Sequence, residues 1–213
     1  METMTQVQAK ERPILFSAPM VRATLEGRKT RTRRVVKPQH GFIRWNQVIL
    51  DGYGGYTDEH GSPVICPYGR PGDRLWVRET HAWLDNGDDS GWIYRATDPD
   101  WETTQNWKWR PSIFMPRAAS RILLEIADVR VERLQDITEE DATTEGIKYQ
   151  STDGFGYKWF GWEDKVQVTE KGEMISQNNH YDAFRSLWTS INGPESWEQN
   201  PWVWVIQFRK LEP

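Results

Sequence analysis

The chain has 213 residues and a formal net charge of −4, a length that suits one large domain or a small domain with insertions. Its only cysteine, Cys66, excludes an intramolecular disulfide and therefore a secreted disulfide scaffold. No run approaches the roughly 20 apolar residues of a membrane span. The polar N-terminus lacks the apolar segment of a signal peptide. We therefore expect a cytoplasmic protein with no membrane partner.

The N-terminal third predicts a strand, a helix and a second strand. Residues 1–12 are expected to form a loosely tied tail, and the apolar run 13–18 predicts a short strand. Residues 19–27 predict a helix, because proline suits the first turn and glycine suits the end. Threonine and valine in 30–36 favour a strand.

The segment GRKTRTRR (27–34) concentrates cationic side chains in an otherwise acidic chain. From residue 22 to 37 there are seven Lys or Arg against one acid, Glu26, so the remainder of the chain carries a balance of −10. A local basic stripe on an acidic body favours a focused anion site. The alternative is ordinary ion pairing with the acids of 139–141, by Arg31, Arg33 and Arg34.

The middle of the chain predicts further strands. A Pro-Gly-Asp turn leads into 71–80, where Leu75 and Val77 alternate with polar residues, and 92–96 is predicted to pair with this strand across the loop 85–91. Alternation over 120–134 predicts one long bent strand or two. Stretches with little periodicity are predicted to be insertions into a single domain, over 38–65, 97–118 and 148–178.

The C-terminal part predicts two helices and a last strand. Residues 136–147 predict a helix that begins with a capping pattern at Thr138 and ends at Gly146. Residues 180–193 predict an amphipathic helix, and 201–211 a final strand. Three tryptophans of the last two elements fit apolar periodicities and are assigned to the core: Trp188, Trp202 and Trp204. Short helices among many strands favour a mixed α+β fold, a small β-barrel with flanking helices.

The order of the motifs resembles the ASCH (activating signal cointegrator homology) domain family, in particular its tryptophan-rich, phage- and prophage-associated branch. The resemblance rests on GRKT-x-T-R, PGDRLWVRE, an acidic helix ending in TEG, and a final strand with Val-x-x-Phe. It implies a PUA-like fold that recognises a modified nucleoside or RNA. Some members hydrolyse the amide of N4-acetylcytidine, and the matching catalytic positions here are Lys29, Thr32 and Glu145.

These three residue types can perform acyl chemistry. A threonine hydroxyl needs a base to take its proton, and a partly desolvated Lys29 could serve as that base. Glu145 could carry a proton to the leaving amine. Lys29 and Thr32 would point to opposite faces of a regular strand, so the prediction requires Lys29 to lie in the turn before the strand. Otherwise Glu145 is an exposed acid at a helix end.

A second group is predicted to bind the substrate or nucleic acid: Arg28, Arg31, Arg33, Arg34, Trp76, Arg78 and Glu79. Arg78 and Glu79 follow the PGD turn, and one of them must face inward. Trp76 and Trp83 are the stacking candidates, whereas Asp73 is expected to hold the turn through backbone amides.

Two alternatives remain open at this stage. One is a non-catalytic RNA-binding module in which Lys29, Arg31 and Arg33 hold phosphates, and the other is a ribonuclease centred on Lys29. The four histidines and Cys66 show no metal-ligand spacing, and no nucleotide-binding loop motif is present, so we expect no metal and no cofactor. The sequence carries no signal of oligomeric state.

Overall fold

A computed structural model describes residues 9–37, 49–50, 56–57, 63–85, 87–98, 108–151, 158–161 and 179–212. The described part is a mixed α+β fold with eleven strands and three α-helices. None of its described helices combines the length and apolar character needed to cross a membrane. Most of the predicted insertions 38–65 and 148–178, residues 99–107 of the insertion 97–118, and residues 1–8 of the predicted tail lie outside the described residues.

The strands in chain order are β1 (Glu11–Leu15), β2 (Arg31–Val35), β3 (Ile49–Leu50), β4 (Tyr56–Thr57), β5 (Arg74–Arg78), β6 (His81–Leu84), β7 (Gly91–Tyr94), β8 (Leu123–Arg133), β9 (Lys148–Ser151), β10 (Lys158–Gly161) and β11 (Trp202–Leu211). Five of them form the central sheet, in the spatial order β1-β5-β8-β11-β2. β1 runs parallel to β5, and the other pairs of this sheet are antiparallel. The remaining strands form three separate two-stranded hairpins.

The central sheet curls so that its two edge strands approach each other. Arg34 on β2 donates a hydrogen bond of 2.9 Å to the carbonyl oxygen of Leu15 at the end of β1. The β8–β11 ladder skips Ala127 beside Phe208, and such a bulge increases local twist and bend. β1 and β2 do not pair with each other through their backbones within the described residues, so a closed barrel, the finer part of the predicted fold, is not observed there.

The strand predictions hold in most places, with one error of pairing. Leu75 and Val77 are buried, as predicted, while their neighbours on β5 are half-buried. The predicted partner of this strand instead pairs with β6, around the predicted loop. β5 instead lies between β1 and β8 in the central sheet, and Glu79, just after β5, pairs with Arg121.

The helices are α1 (Ala18–Leu25), α2 (Glu139–Thr144) and α3 (His180–Asn192). α2 is shorter than predicted, because 134–136 form a 3-10 turn and Ile137 is extended. Its capping is as predicted, since the Thr138 hydroxyl accepts from the backbone N–H of Asp141 at 3.1 Å. Asn179 caps α3 in the same way, and Gly193 ends it at φ +98°.

The core lies between the central sheet and the helices. Val21 of α1, Leu124 of β8 and Val205 of β11 are completely buried. Trp188 and Trp204 are buried too, as predicted, whereas Trp202 is only half-buried. α3 therefore has an inner apolar face, and part of that face borders the cleft described next.

Candidate functional site

Lys29 and Glu145 meet through their backbones. Gly27 ends α1 at φ +75°, and the N–H of Lys29 turns back to donate to the carbonyl oxygen of Ala23 at 2.9 Å. Lys29 then forms an isolated antiparallel bridge with Glu145, the residue that follows α2. Lys29 thus lies in the turn before β2, as the sequence interpretation required.

The Lys29 ammonium is buried and fully hydrogen-bonded. Its Nζ lies 2.6 Å from Glu145 Oε2 and also donates to the carbonyl oxygens of Glu145, at 3.0 Å, and Arg31, at 2.8 Å. An ammonium has three hydrogens, so all of them are used. Burial lowers the pKa of Lys29, and the attraction of Glu145 opposes this only in part. The group is therefore easier to deprotonate than an exposed lysine.

Arg33 extends this pair into a network of charges. Its guanidinium contacts Glu145 Oε1 at 3.2 Å, Glu132 Oε1 at 2.6 Å and Asp141 Oδ2 at 3.1 Å, and its side chain is fully buried. Arg31 also pairs with Asp141. The predicted pairing with the acids of 139–141 thus holds for Arg31 and Arg33, which both contact Asp141, while Glu132 and Glu145 supply the other carboxylates. Arg34 instead donates to backbone carbonyl oxygens. Glu145 itself is buried, so it is not an exposed helix-end acid.

Asp141 is the acid that several arginines share. Burial raises the pKa of its carboxyl, but the neighbouring guanidiniums, led by that of Arg33, outweigh burial and hold the pKa below its ordinary value. Arg130 approaches the same carboxylate at 3.5 Å. The basic stripe of the sequence is therefore largely neutralised by carboxylates in the folded protein.

Thr32 lies on β2 opposite Ile206, and it is completely buried. Among the described residues its Oγ1 has no hydrogen-bond partner, and so it makes no bond to Lys29. A buried hydroxyl without a partner costs about 1–3 kcal/mol of stability. The hydroxyl is also out of contact with solvent, so in this arrangement it does not reach the surface of a cleft.

A cleft of about 380 Å³ opens beside the charged network. One part of its wall carries Arg33, Arg34 and Glu145, and hydroxyls line another part. α3 supplies an apolar part, formed by Phe184, Leu187, Trp188 and Ile191. A volume of this size falls in the range of small-molecule sites, about 300–1,000 Å³. Lys29 and Thr32 lie behind this wall rather than in it.

Phe16 separates two of the cations at the cleft. The Lys29 ammonium lies 5.6 Å from the centre of its ring, and the Arg34 guanidinium lies 5.8 Å from it. Both distances suit cation–π attraction. Phe16 also lines the cleft, so it adds an aromatic ring to the wall close to these two positive groups.

Five of the predicted binding residues lie away from the cleft. Arg28 pairs with Glu26 at 2.7 Å and donates to the carbonyl oxygen of Gly146, while Arg31 is engaged by Asp141. Three others follow the PGD turn, and none of them lines the cleft: Trp76, Arg78 and Glu79.

Each of these last three has another contact. The Arg78 guanidinium lies 5.4 Å from the ring centre of Trp76, at the surface of β5. Glu79 is buried and forms a two-point ion pair with Arg121, at 2.9 and 3.0 Å. Burial raises the pKa of Glu79, and Arg121 opposes that shift. Glu79 is therefore the residue of the Arg78–Glu79 pair that faces inward, in a structural ion pair.

The PGD turn borders a different cavity, of about 310 Å³. Asp73 accepts hydrogen bonds from the backbone N–H of Lys10 and Arg70 and from the Arg12 side chain, as predicted for a turn residue. Trp83, the other stacking candidate, is 45% exposed on β6 and packs edge-on against Trp92. The turn and the cleft are therefore separate features.

The apolar wall from α3 was missed by sequence reasoning. Phe184, Leu187 and Trp188 recur at helical spacing, and that pattern is the same whether a face contacts the core or a cleft. Ile191 continues the same face, yet it is 53% exposed, which an entirely core-facing residue would not be.

No family model, no curated protein and no solved structure matches this chain. A functional conclusion therefore depends on the geometry of the cleft and on the motifs that carry the family resemblance.

Proposed function

We propose that this chain is an ASCH-type protein with a PUA-like fold, and that it hydrolyses the amide of an N4-acylated cytidine. The observation that carries the proposal is the buried Lys29–Glu145 pair, 2.6 Å between Nζ and Oε2, at the wall of a cleft large enough for a nucleoside. The curl that brings the edges of the sheet together through Arg34 and Leu15 supports the PUA-like part of the proposal.

In this proposal Thr32 Oγ attacks the acyl carbon and its proton passes to the neutral amine of Lys29. The tetrahedral oxyanion collapses, the bond to N4 breaks, and the amine leaves with a proton delivered by way of Glu145. Water then hydrolyses the Thr32 ester and releases the carboxylic acid. The low pKa of Lys29 supports its role as the base, since a base must be neutral to accept a proton.

The fully buried position of Thr32 sets two requirements. A neighbouring side chain must move before Oγ1 can reach an acyl carbon in the cleft, and Lys29 Nζ, which Oγ1 does not contact in this structure, must come within hydrogen-bond distance of it. Arg34 lies two residues further on the same face of β2 and lines the cleft, so it is the side chain that we expect to move. Its guanidinium would then be placed to stabilise the oxyanion.

The contacts of the basic stripe favour hydrolysis over phosphate binding. A phosphate-binding edge needs cations that are available to the solvent, but Lys29, Arg31 and Arg33 are each paired with carboxylates. Displacing a buried pair leaves a charge without a partner, at a cost of about 3–5 kcal/mol. A neutral nucleoside demands no such displacement.

The proposal is tested by incubating the protein with N4-acetylcytidine and following cytidine by chromatography. Lys29→Arg keeps the charge but removes the base, and Lys37→Arg, at an exposed position, is the matched control. We expect turnover by the parent and the control but not by Lys29→Arg, with circular dichroism confirming that all three are folded. Turnover by the Lys29→Arg variant would show that Lys29 is not the base of the reaction.

The RNA-binding alternative makes a different prediction in the same preparation. If turnover is absent and RNA binds, its affinity should fall with salt by roughly 0.7 log units per phosphate contact per decade of salt. That outcome would show that the protein binds RNA through its phosphates and does not hydrolyse the amide.

A further inference from the structure

The cleft is apolar where it borders the proposed reacting groups. Met20 and Leu187 line the main cleft together with Glu145, and the same three residues line a small adjoining cavity. The Arg33 guanidinium lies 5.7 Å from the ring centre of Phe184, which belongs to the same helix as Leu187. A substrate group that lies next to Glu145 in the cleft would therefore contact hydrocarbon.

Other residues that line the cleft are polar. Ser17 lies just before α1, Thr80 lies between β5 and β6, and Ser112 begins a 3-10 turn. Their hydroxyls both donate and accept hydrogen bonds, as the edges of a base and a ribose require. The lining of the cleft therefore includes both hydrogen-bonding residues and a hydrocarbon part, which we define as Met20 of α1 and the apolar residues of α3.

The hydrocarbon part is large relative to an acetyl group. It runs from Met20 and Leu187 to the cleft mouth, where Leu15 and Ile191 are 45% and 53% exposed although both line the cleft. The single methyl of an acetyl group would leave most of this surface in contact with water. Covering it would require an acyl chain of several carbons or an aromatic ring.

We propose that the preferred substrate of this site is a cytidine whose N4-acyl group is larger and more apolar than acetyl, such as hexanoyl or benzoyl. This inference rests on the proposed function for its reaction, but its specificity comes from α3 and Met20. The hydroxyl-lined part binds the nucleoside, and the acyl chain lies along Phe184, Leu187 and Ile191. A hydrophobic pocket discriminates by about tenfold or more for each added methylene that it buries.

The test compares kcat/KM for N4-acetyl-, N4-hexanoyl- and N4-benzoylcytidine, and separately the binding of N4-methyl- and N4-hexylcytidine by calorimetry. The alkyl compounds have no acyl carbonyl on N4, so their binding is measured without any reaction. We expect kcat/KM for hexanoylcytidine to exceed that for acetylcytidine by at least about tenfold, and hexylcytidine to bind more tightly than methylcytidine by a similar factor.

The outcomes separate this inference from the proposed function. Hydrolysis that favours acetylcytidine, with equal binding of the two alkyl compounds, overturns the inference and leaves amide hydrolysis standing. Absence of all hydrolysis, with hexylcytidine bound more tightly, overturns hydrolysis and leaves an apolar ligand arm in the cleft. Absence of both hydrolysis and preference overturns both.

A variant pair locates the preference. Leu187→Phe narrows the hydrocarbon part, and we expect it to lower the ratio of kcat/KM for hexanoylcytidine to kcat/KM for acetylcytidine about tenfold. Ile113→Ala is the control, because Ile113 is an exposed apolar residue that does not line the cleft. Equal loss in both variants would contradict the assignment of the acyl chain to α3.

Discussion

Lys29 and Glu145 are held together twice, by an antiparallel backbone bridge and by a side-chain ion pair of 2.6 Å. The two residues are 116 positions apart in the chain, and each is at least 96% buried. The backbone bridge fixes where the side chains start, so the ammonium has little freedom to leave its carboxylate.

Replacing one member of this pair should lower the free energy of unfolding more than replacing both. Lys29→Met leaves Glu145 buried with Arg33 as its remaining cation, and we expect a loss of about 3 kcal/mol in the free energy of unfolding. The double variant Lys29→Met/Glu145→Leu should recover part of that loss, because the buried carboxylate that has lost its lysine is removed as well. Urea titrations of the parent, both single variants and the double variant measure the coupling.

Hydrolysis should accelerate as the pH rises. Burial lowers the pKa of Lys29, so the neutral amine that acts as the base becomes populated at a pH below the ordinary lysine value of about 10.4. The logarithm of kcat/KM should rise with pH and level off below that value. A profile that is flat from pH 6 to 10 would show that no group that titrates in this range limits the reaction.

Thr32→Val should separate stability from activity. Valine has nearly the same shape and removes a buried hydroxyl that has no partner, so the protein should be as stable as the parent or more stable by about 1 kcal/mol. Turnover should disappear, whereas Thr32→Ser should retain it. Thermal melts and the cytidine assay on the same samples decide the point, and an active Thr32→Val would require water as the nucleophile.

Gly146→Ala should distort the site, because Gly146 has φ +100° and an added Cβ would lie 2.8 Å from Cβ of Ala23 and 3.3 Å from Cβ of Lys29. The matched control is Gly72→Ala, with φ +90° but no atom within 4 Å of the added Cβ. In both variants the free energy of unfolding should fall by about 1–2 kcal/mol, because alanine is strained in the left-handed backbone conformation. Only Gly146→Ala should lose further stability and activity, and equal losses would refute crowding at Lys29.

Acid should weaken the folded state through Asp141. Its pKa is held below the ordinary value in the folded protein, so the carboxylate stabilises the fold above the unfolded pKa of about 3.9. That contribution is lost as the pH falls through the lower, folded pKa. Asp141→Asn should flatten the fall in unfolding free energy over this acid range, as measured by urea titration at several pH values, and an unchanged slope would exclude Asp141 as its source.

The sequence predicts the elements that local patterns specify. Pro19 and Gly27 mark α1 to within two residues, and the cap at Thr138 marks the start of α2. The placement of Lys29 before β2 also follows from the sequence, since Gly27 allows the chain to turn there. Residues near one another in the chain determine each of these features.

The contacts that assemble the site are not local, and for that reason they were harder to predict. Glu132 has no feature that distinguishes it from other acids on β8 until β11 places it within reach of Arg33. Glu79 pairs with Arg121, which is 42 positions away in the chain, and it therefore takes part in a structural ion pair rather than in the expected binding site. The apolar face of α3 has the same sequence pattern whether it contacts the core or the cleft.

The order of the strands has a consequence for the chain during synthesis. Lys29 leaves the ribosome long before Glu145, and β2 pairs only with β11 among the described strands. Burying the lysine early, without its carboxylate, would cost several kcal/mol. We therefore expect the nascent N-terminal part to remain unfolded at that stage. A chain truncated before residue 202 would contain Lys29, Thr32 and Glu145, and it would still lack the strand that supports them.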